Sequence, residues 1–398
     1  MNTATHSFDI RDIPGLSPNS MITPISSKSP GGLNQVILPT GHTAIHLTGY
    51  VDVQKVLMDI SFIRSETNTE DGPSFLPTVM PNEMLLNLDH PDHGRLKHFV
   101  AAPYSANSMN DFAPKVRDIV LDQLERIDDP ESFDLMADVI SPVTIKVNAA
   151  FLGIADSEIP KFRHLSRQMQ LAPEDNIPQL LEDFWDLYHY LEDIISGQVD
   201  LKDGLITDLL DRRNDVNPPV TDDEYVAILL GSLVGGDQNV LSELSKIVYV
   251  CLVKHEAWEW LSEDPELVPS TTEELLRLLP LGRISTFPRI ASRQVELEEG
   301  RIYPGEVVYA DAHAANRDQT VFPSPWTVNI QRNSKKHLQF GYGMHHCMGA
   351  AMARMVIRES MGVLTEQLPT LSLAVPPESI KWDTGVLVHR PLSLPVSK

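Results

Sequence analysis

Phe340-Gly341-Tyr342-Gly343-Met344-His345-His346-Cys347-Met348-Gly349-Ala350-Ala351-Met352-Ala353-Arg354 is the densest stretch of chemistry in the chain, and its reading decides the fold. Glycines at 341 and 343 permit a tight turn, and Gly349 removes side-chain bulk beside the sulfur. Cys347 stands where a loop runs into a final helix, which the pattern carries from about Gly349 to Gln367. Free N–H groups and the helix dipole at such a place favour a thiolate. A thiolate among glycines is a metal ligand or a nucleophile. Taken alone, a single cysteine is more often a small buried residue, so the whole string carries the weight.

Outward from that loop, helical periodicity dominates. Phe112, Val116, Val120, Leu124 and Ile127 repeat at three- and four-residue spacing, one buried face of an amphipathic helix. Val51–Met58, Ile154–Leu171, Pro178–Ser196 and Asp203–Arg213 also read as helices. Tyr225–Val253 is apolar nearly all round and reads as one central helix covered by others. Its Gly231, Gly235 and Gly236 each cost about 1 kcal/mol of helix propensity relative to Ala. Glycines there imply that something large approaches the backbone closely. Ser270-Thr271-Thr272-Glu273-Glu274 holds two overlapping capping boxes that begin a helix, and Pro280 ends it. Gln35–Leu38 with His46–Tyr50 reads as a hairpin, as do Val295, Leu297, Ile302, Val307 and Val308 around Pro304-Gly305. Leu371–Pro395 returns to strand and turn. The fold class is mainly α with a small β-rich lobe, an α+β arrangement. Residues 1–34 read as an irregular lead-in and 35–398 as a single domain.

Composition narrows the function. The 398 residues carry 55 acidic and 32 basic side chains, a formal charge of −23 that repels nucleic acid and anionic membranes. Two cysteines, Cys251 and Cys347, rule out a disulfide framework and accord with a reducing compartment. The N-terminus lacks a basic region followed by an apolar run. The most apolar window, Tyr225–Val234, meets Gly235-Gly236-Asp237 and then Glu243 and Lys246, too soon for a membrane span. A cytoplasmic monomer is expected, with neither nucleic acid nor membrane as partner.

The string around Cys347 resembles the haem-ligand signature of the cytochrome P450 family, Phe-Gly-x-Gly-x-His-x-Cys-x-Gly followed by Ala-Arg. Other segments agree in the right order. Glu274-Leu275-Leu276-Arg277 is similar to the family's Glu-x-x-Arg helix, whose pair is joined by a later arginine, here Arg332. Asp89-His90-Pro91-Asp92-His93-Gly94-Arg95-Leu96-Lys97 is similar to its Asp-Pro-Pro-Glu-His-x-Arg-x-Arg stretch. The resemblance covers roughly residues 35–395. It implies haem b with Cys347 as proximal iron ligand, and His93, Lys97, Arg289 and His345 at the propionates. Phe340, Gly341 and Gly235 would also contact the haem. Lys97 replaces an arginine, so a forked contact becomes a point charge. A zinc site from His90 and His93 is the bland alternative, short of ligands.

The central helix departs from the family. Where the resemblance calls for Ala/Gly-Gly-x-Asp/Glu-Thr, the chain reads Gly235-Gly236-Asp237-Gln238-Asn239. In the family the acid and alcohol relay protons to dioxygen so that its O–O bond breaks. Gln238 cannot ionise, whereas Asn239 donates a hydrogen bond or holds a water. The catalytic candidates are therefore Asn239, Gln238 and Asp237. Three routes stay open: Asn239 with an ordered water and protons from Asp237 or solvent, a hydroxyl or amide supplied by substrate, or hydrogen abstraction and oxidative coupling without oxygen insertion.

What the resemblance implies for partners is a small organic substrate, dioxygen, a separate ferredoxin and an NAD(P)H-dependent ferredoxin reductase. Lys335, Lys336, Arg354 and Arg358 could form the ferredoxin-docking patch on an acidic chain. Leu85, Met169, Val234, Ile284, Phe287 and Val386 are the substrate-facing candidates. The main expectation is a monooxygenase of natural-product scaffolds. A coupling enzyme is the alternative, and a haem-binding recruitment module without turnover comes from another class.

Overall fold

A computed structural model describes residues 6–76, 78–168, 177–332, 334, 336–383 and 388–398. Its helices begin with α1 (Tyr50–Met58), α2 (Asp92–Ala101), α3 (Ala106–Leu124) and α4 (Ser141–Leu152). They continue with α5 (Ile159–Gln168), α6 (Ile177–Ile195), α7 (Leu205–Arg212), α8 (Asp222–Gly236) and α9 (Gln238–Val253). The last are α10 (His255–Glu263), α11 (Val268–Leu278), the short α12 (Ala312–Ala315) and α13 (Ala350–Gln367). Local chemistry sets several of these ends. Thr221 and Glu224 form a reciprocal capping box at the start of α8. Gly153, at φ 84°, closes α4 in the left-handed conformation that glycine adopts without strain.

The main core gathers the apolar faces of α3, α4, α8, α9, α11 and α13. The α13 helix packs along α3 and also meets α9, α10 and α11. A second, smaller core lies in the β lobe, around Ile45, Leu47, Val53, Val308 and Leu338. That lobe holds a six-stranded sheet in the order Thr23–Lys28, Asn34–Ile37, Thr43–Leu47, Val307–Ala310, Arg289–Ala291, Phe62–Ile63. Thr43–Leu47 and Val307–Ala310 pair in parallel, with Ile45 opposite Val308, and the other pairs are antiparallel. The mainly helical α+β class is thus the observed one.

Four expectations are corrected. The lead-in expected over 1–34 is not irregular over its described residues, 6–34: Ser7–Asp9 pairs with Thr327–Asn329, and Thr23–Lys28 forms the edge of the large sheet. Gly15 and Gly32 take positive φ in the connections, while Pro24, Ser26 and Ser27 lie within the edge strand itself. The central helix is two helices, broken at Asp237, whose carboxylate is drawn sideways by Thr144 and Ser166 just after two poor helix formers. Neither Ser270 nor Thr271 caps α11. The helix starts at Val268 with Pro269 in its first turn, where a missing N–H costs nothing, so Ser270 lies inside it. Finally, Val307–Ala310 joins the large sheet, leaving Val295–Glu296 to pair with Arg301–Ile302.

Candidate active site

A cavity of about 400 Å³ lies between the α8–α9 break and the loop carrying Cys347. The loop is fixed by its own backbone. Cys347 N–H donates to Phe340 O at 2.8 Å, and Gly341 N–H donates to Leu338 O at 2.9 Å. Gly341 and Gly343 hold φ values of 68° and 69°. At Gly343 a Cβ would stand 2.5 Å from Leu57 O, so the loop presses directly on the end of α1. Lys97 Nζ donates to Met344 O at 2.5 Å and to His346 O at 3.0 Å, bracing the loop from α2. The Arg354 guanidinium lies 4.4 Å from the Phe340 ring centroid and is gripped by both oxygens of Glu273.

Cys347, Phe340, Gly341 and Gly349 form one wall of the cavity, and the cysteine presents its exposed surface there. Burial by protein pushes the Cys347 thiol up, opposed by the Gly349 N–H, Lys97 and Arg354. The Gly349 N–H acts in the direction expected of the helix start, and burial outweighs it. A metal cation on the sulfur would reverse that balance, because coordination deprotonates a thiol outright.

One end of the cavity is cationic. Arg289 and Arg64 line it although both are buried, at 6% and 4% exposure. Arg289 donates to Val56 O and Leu57 O at 3.2 Å, while Arg64 donates to Leu86 O at 3.1 Å and Thr67 Oγ1 at 2.8 Å. These partners are neutral. Burial, aided by the neighbouring Arg289 charge, lowers Arg64 to about 9, and burial lowers Arg289 to about 10. His345 lines the same end, and its ring meets His93 edge-on at 4.6 Å. Burial holds His93 near 4 and His345 near 2, with Lys97 and Arg289, respectively, adding to the effect. His93 Nδ1 and His345 Nε2 have no hydrogen-bond partner among the described residues.

Among the described residues no carboxylate pairs with either guanidinium, and beside the orphaned Nε2 of His345 they make a site for anionic groups. Haem b fits this donor set: its two carboxylates would satisfy the cationic end, and its iron would take the sulfur. His93 and Lys97 do not line the cavity themselves; they support His345 and the cysteine loop. Glu274 and Arg277 are fully buried and Arg332 joins them half-buried, with Arg277 Nη2 and Arg332 Nε at 2.8 and 3.0 Å from Glu274 Oε1. This is no solvated surface pair. Among the described residues no group of three His, Cys, Asp or Glu side chains converges as a metal site would require.

Opposite Cys347, the structure separates the three catalytic candidates. Asn239 lines the cavity with Gly235 and Gly236. Asp237 and Gln238 turn away into protein. The Asp237 carboxylate accepts from Thr144 Oγ1 and Ser166 Oγ at 3.0 Å and from Gln238 Nε2 at 2.6 Å. Burial pushes its pKa up against these bonds. Added Cβ atoms at Gly231 and Gly235 would meet nothing within 4 Å, whereas one at Gly236 would fall 2.5 Å from Asn148 Oδ1. The close approach read from the glycines is Asn148 at 236, and open space at the other two.

Of the substrate-facing candidates, Leu85 and Phe287 line the cavity, while Val234 and Ile284 are not in its wall. Met169 and Val386 lie outside the described residues, as does Lys335. In the basic patch, Arg354 is engaged by Glu273, Arg358 Nε donates to Arg354 O, and Lys336 is exposed. Sequence reading missed Glu243 and Gln339 as cavity residues, and the resemblance reached Arg64 only as the first residue of a substrate-contacting loop, 64–88, with no role at the cationic end. Arg64 sits in a Pro-interrupted stretch without a pattern. Glu243 did leave a signal, one of two charges, with Lys246, in a mostly apolar helix.

Comparison with known proteins gives one answer. The family model described as Cytochrome P450 matches residues 261–388. Mycinamicin IV hydroxylase/epoxidase of Micromonospora griseorubida is 31% identical over 393 residues, covering 98% of each chain. Nocardicin C N-oxygenase of Nocardia uniformis subsp. tsuyamanensis is 32% identical over 404 residues, covering 99% of each. Among solved structures, the LnmA hydroxylase from the leinamycin pathway of Streptomyces atroolivaceus is similar with a TM-score of 0.83 at 32% identity, covering 92% of this chain and 93% of that one. Among the described residues, no helix is long and apolar enough to cross a membrane.

Proposed function

Because this chain belongs to the cytochrome P450 family, it is a haem b monooxygenase, and we propose that it oxidises a small natural-product scaffold with Cys347 as the proximal iron ligand. The observation that carries the site assignment is the opening of Cys347, Arg64, Arg289 and His345 into one cavity. The substrate class rests on relatives named for mycinamicin and nocardicin.

When bound, haem b supplies the iron centre at which dioxygen is reduced, one oxygen atom entering the substrate and the other leaving as water. The chain's own residues do the rest. Arg289, His345 and Arg64 would hold the carboxylates, with His93 packed edge-on against the His345 ring to orient it. Lys97 fixes the carbonyls of Met344 and His346, so the sulfur keeps its aim through α2. Leu85 and Phe287 exclude water from the substrate side. Asn239 offers an amide that donates to or positions a water, the role the family gives to an alcohol. Asp237 and Gln238 act on Asn239 through the backbone break rather than by facing the cavity.

Electrons are assigned to a ferredoxin fed by an NAD(P)H-dependent reductase. Lys336 and Arg358, beside the cysteine loop on a chain of net charge −23, support an acidic partner there.

The reduced protein with carbon monoxide tests the ligation: a strongly red-shifted Soret band is expected, and Cys347→Ser should abolish it. Product mass then tests the reaction. Gain of one oxygen is the expected outcome. Loss of two hydrogens would make the enzyme a coupling catalyst, and no product from any scaffold would leave a recruitment module.

A further inference from the structure

The central helix carries a buried ion pair that the proposed reaction does not use. Glu243 stands one turn beyond Asn239 on α9 and lines the cavity at 6% exposure. Lys246, fully buried, places Nζ 3.0 Å from Glu243 Oε1. The same Nζ donates to Pro280 O and, at 3.4 Å, to Leu281 O. Three acceptors around one nitrogen match the three N–H groups of an ammonium, so Lys246 is charged and Glu243 is its counter-charge. Burial opposes both charges, raising the Glu243 pKa and lowering that of Lys246.

The pair has a direction. Glu243 lines the cavity and Lys246 does not, so the negative end points inward. Glu243 Oε2 has no hydrogen-bond partner among the described residues. Gln339, one residue before Phe340 in the cysteine loop, donates to Glu243 Oε1 at 3.4 Å and to Leu279 O at 3.0 Å. Glu243 therefore sits where the central helix and the cysteine loop close on each other.

We propose that Glu243, oriented by Lys246 and Gln339, abuts the rim of the bound haem and lowers the reduction potential of its iron. This rests on the haem assignment made above. Reduction adds one electron to the iron, and a negative dipole end held in a medium of low dielectric disfavours that added charge. Lys246 and Gln339 are positioning residues: Lys246 holds the carboxylate from outside the cavity wall and Gln339 holds it from within that wall.

The test is a spectroelectrochemical titration of the substrate-free holoprotein. Glu243→Gln keeps the shape and removes the charge, and should shift the ferric/ferrous midpoint to more positive potential with the thiolate-type carbon monoxide band retained. The double variant Glu243→Gln/Lys246→Gln removes the pair as a unit and should shift it the same way. Where a neutral variant does not fold, Glu243→Asp withdraws the charge by one methylene and should give a smaller shift of the same sign. An unchanged or more negative midpoint, with the band intact, overturns the proposal. A midpoint that moves only with substrate bound also overturns it, since Glu243 would then face substrate. Loss of the thiolate band in the unaltered protein would instead overturn the haem assignment.

Discussion

Arg390 Nη1 donates to Gln238 Oε1 at 2.5 Å across 152 residues of sequence. Gln238 in turn donates to Asp237, and Arg390 lies 3.5 Å from Asp383 across the Trp382–Asp383/Arg390–Pro391 ribbon. At the position where the family keeps an acid, this chain uses an amide that bridges a carboxylate and a guanidinium. Glutamate there would suit Arg390 and repel Asp237. Gln238→Leu strips a bond from each buried partner and should cost about 1–3 kcal/mol in a denaturant titration. A loss below a few tenths of a kcal/mol would remove the bridge from the account of the helix break.

Much of this was legible in the sequence, and the limits have physical causes. The cysteine loop reads plainly because turn glycines, histidine and cysteine are constrained together at short range. Arg289 and His345 were reached through resemblance and share one end of the cavity. Arg64 shares that end through contacts to Leu86 O and Pro288 O, and no local pattern announces such a partnership. The break at Asp237 was missed because Thr144 and Ser166, its cause, lie on other helices. Propensity and periodicity see neither.

Asn239 is the one member of its trio in the cavity wall. Asn239→Ala should leave haem content and the carbon monoxide band unchanged while less product forms per NAD(P)H consumed. Unaltered coupling would shift the proton-handling role to substrate or solvent.

Gly341 and Gly343 share the same φ and differ in surroundings. A Cβ at Gly341 would find its nearest neighbour at 3.7 Å, against 2.5 Å at Gly343. Alanine at either site carries the left-handed cost of roughly 1–2 kcal/mol. At Gly343 overpacking adds about 1–3 kcal/mol more. Thermal midpoints should rank wild type, Gly341→Ala, Gly343→Ala in falling order. Equal midpoints for the two variants would mean the loop does not press on α1.

Glu273 sets an acid limit on stability. Burial alone would raise its pKa, but His337 and Arg354 outweigh that and hold it at about 2. Its pKa is lower in the folded than in the unfolded state, so the stabilisation is complete above the unfolded value near 4.5 and is lost as pH falls toward 2. That window is worth about 3 kcal/mol. Glu273→Gln should flatten stability against pH between 4.5 and 2; a slope like that of the unaltered protein would place the acid sensitivity elsewhere.

Reversing Lys335 and Lys336 to Glu should slow reduction by a ferredoxin and steepen no salt dependence, with haem content intact. Since Arg354 is bound to Glu273, its guanidinium is a poorer docking group than the exposed Lys336. Unchanged reduction kinetics would remove this face as the docking site.

The parallel pairing of Thr43–Leu47 with Val307–Ala310 also bears on biogenesis. Ile45 finds its neighbour Val308 roughly 260 residues later in the chain. At about 5–20 residues per second of synthesis, the edge of Thr43–Leu47 waits on the order of ten seconds to a minute for its partner. Contacts of such long range also slow folding once the chain is complete. Yield in a heterologous host should therefore depend on translation speed and chaperone supply more than on the strength of the finished core.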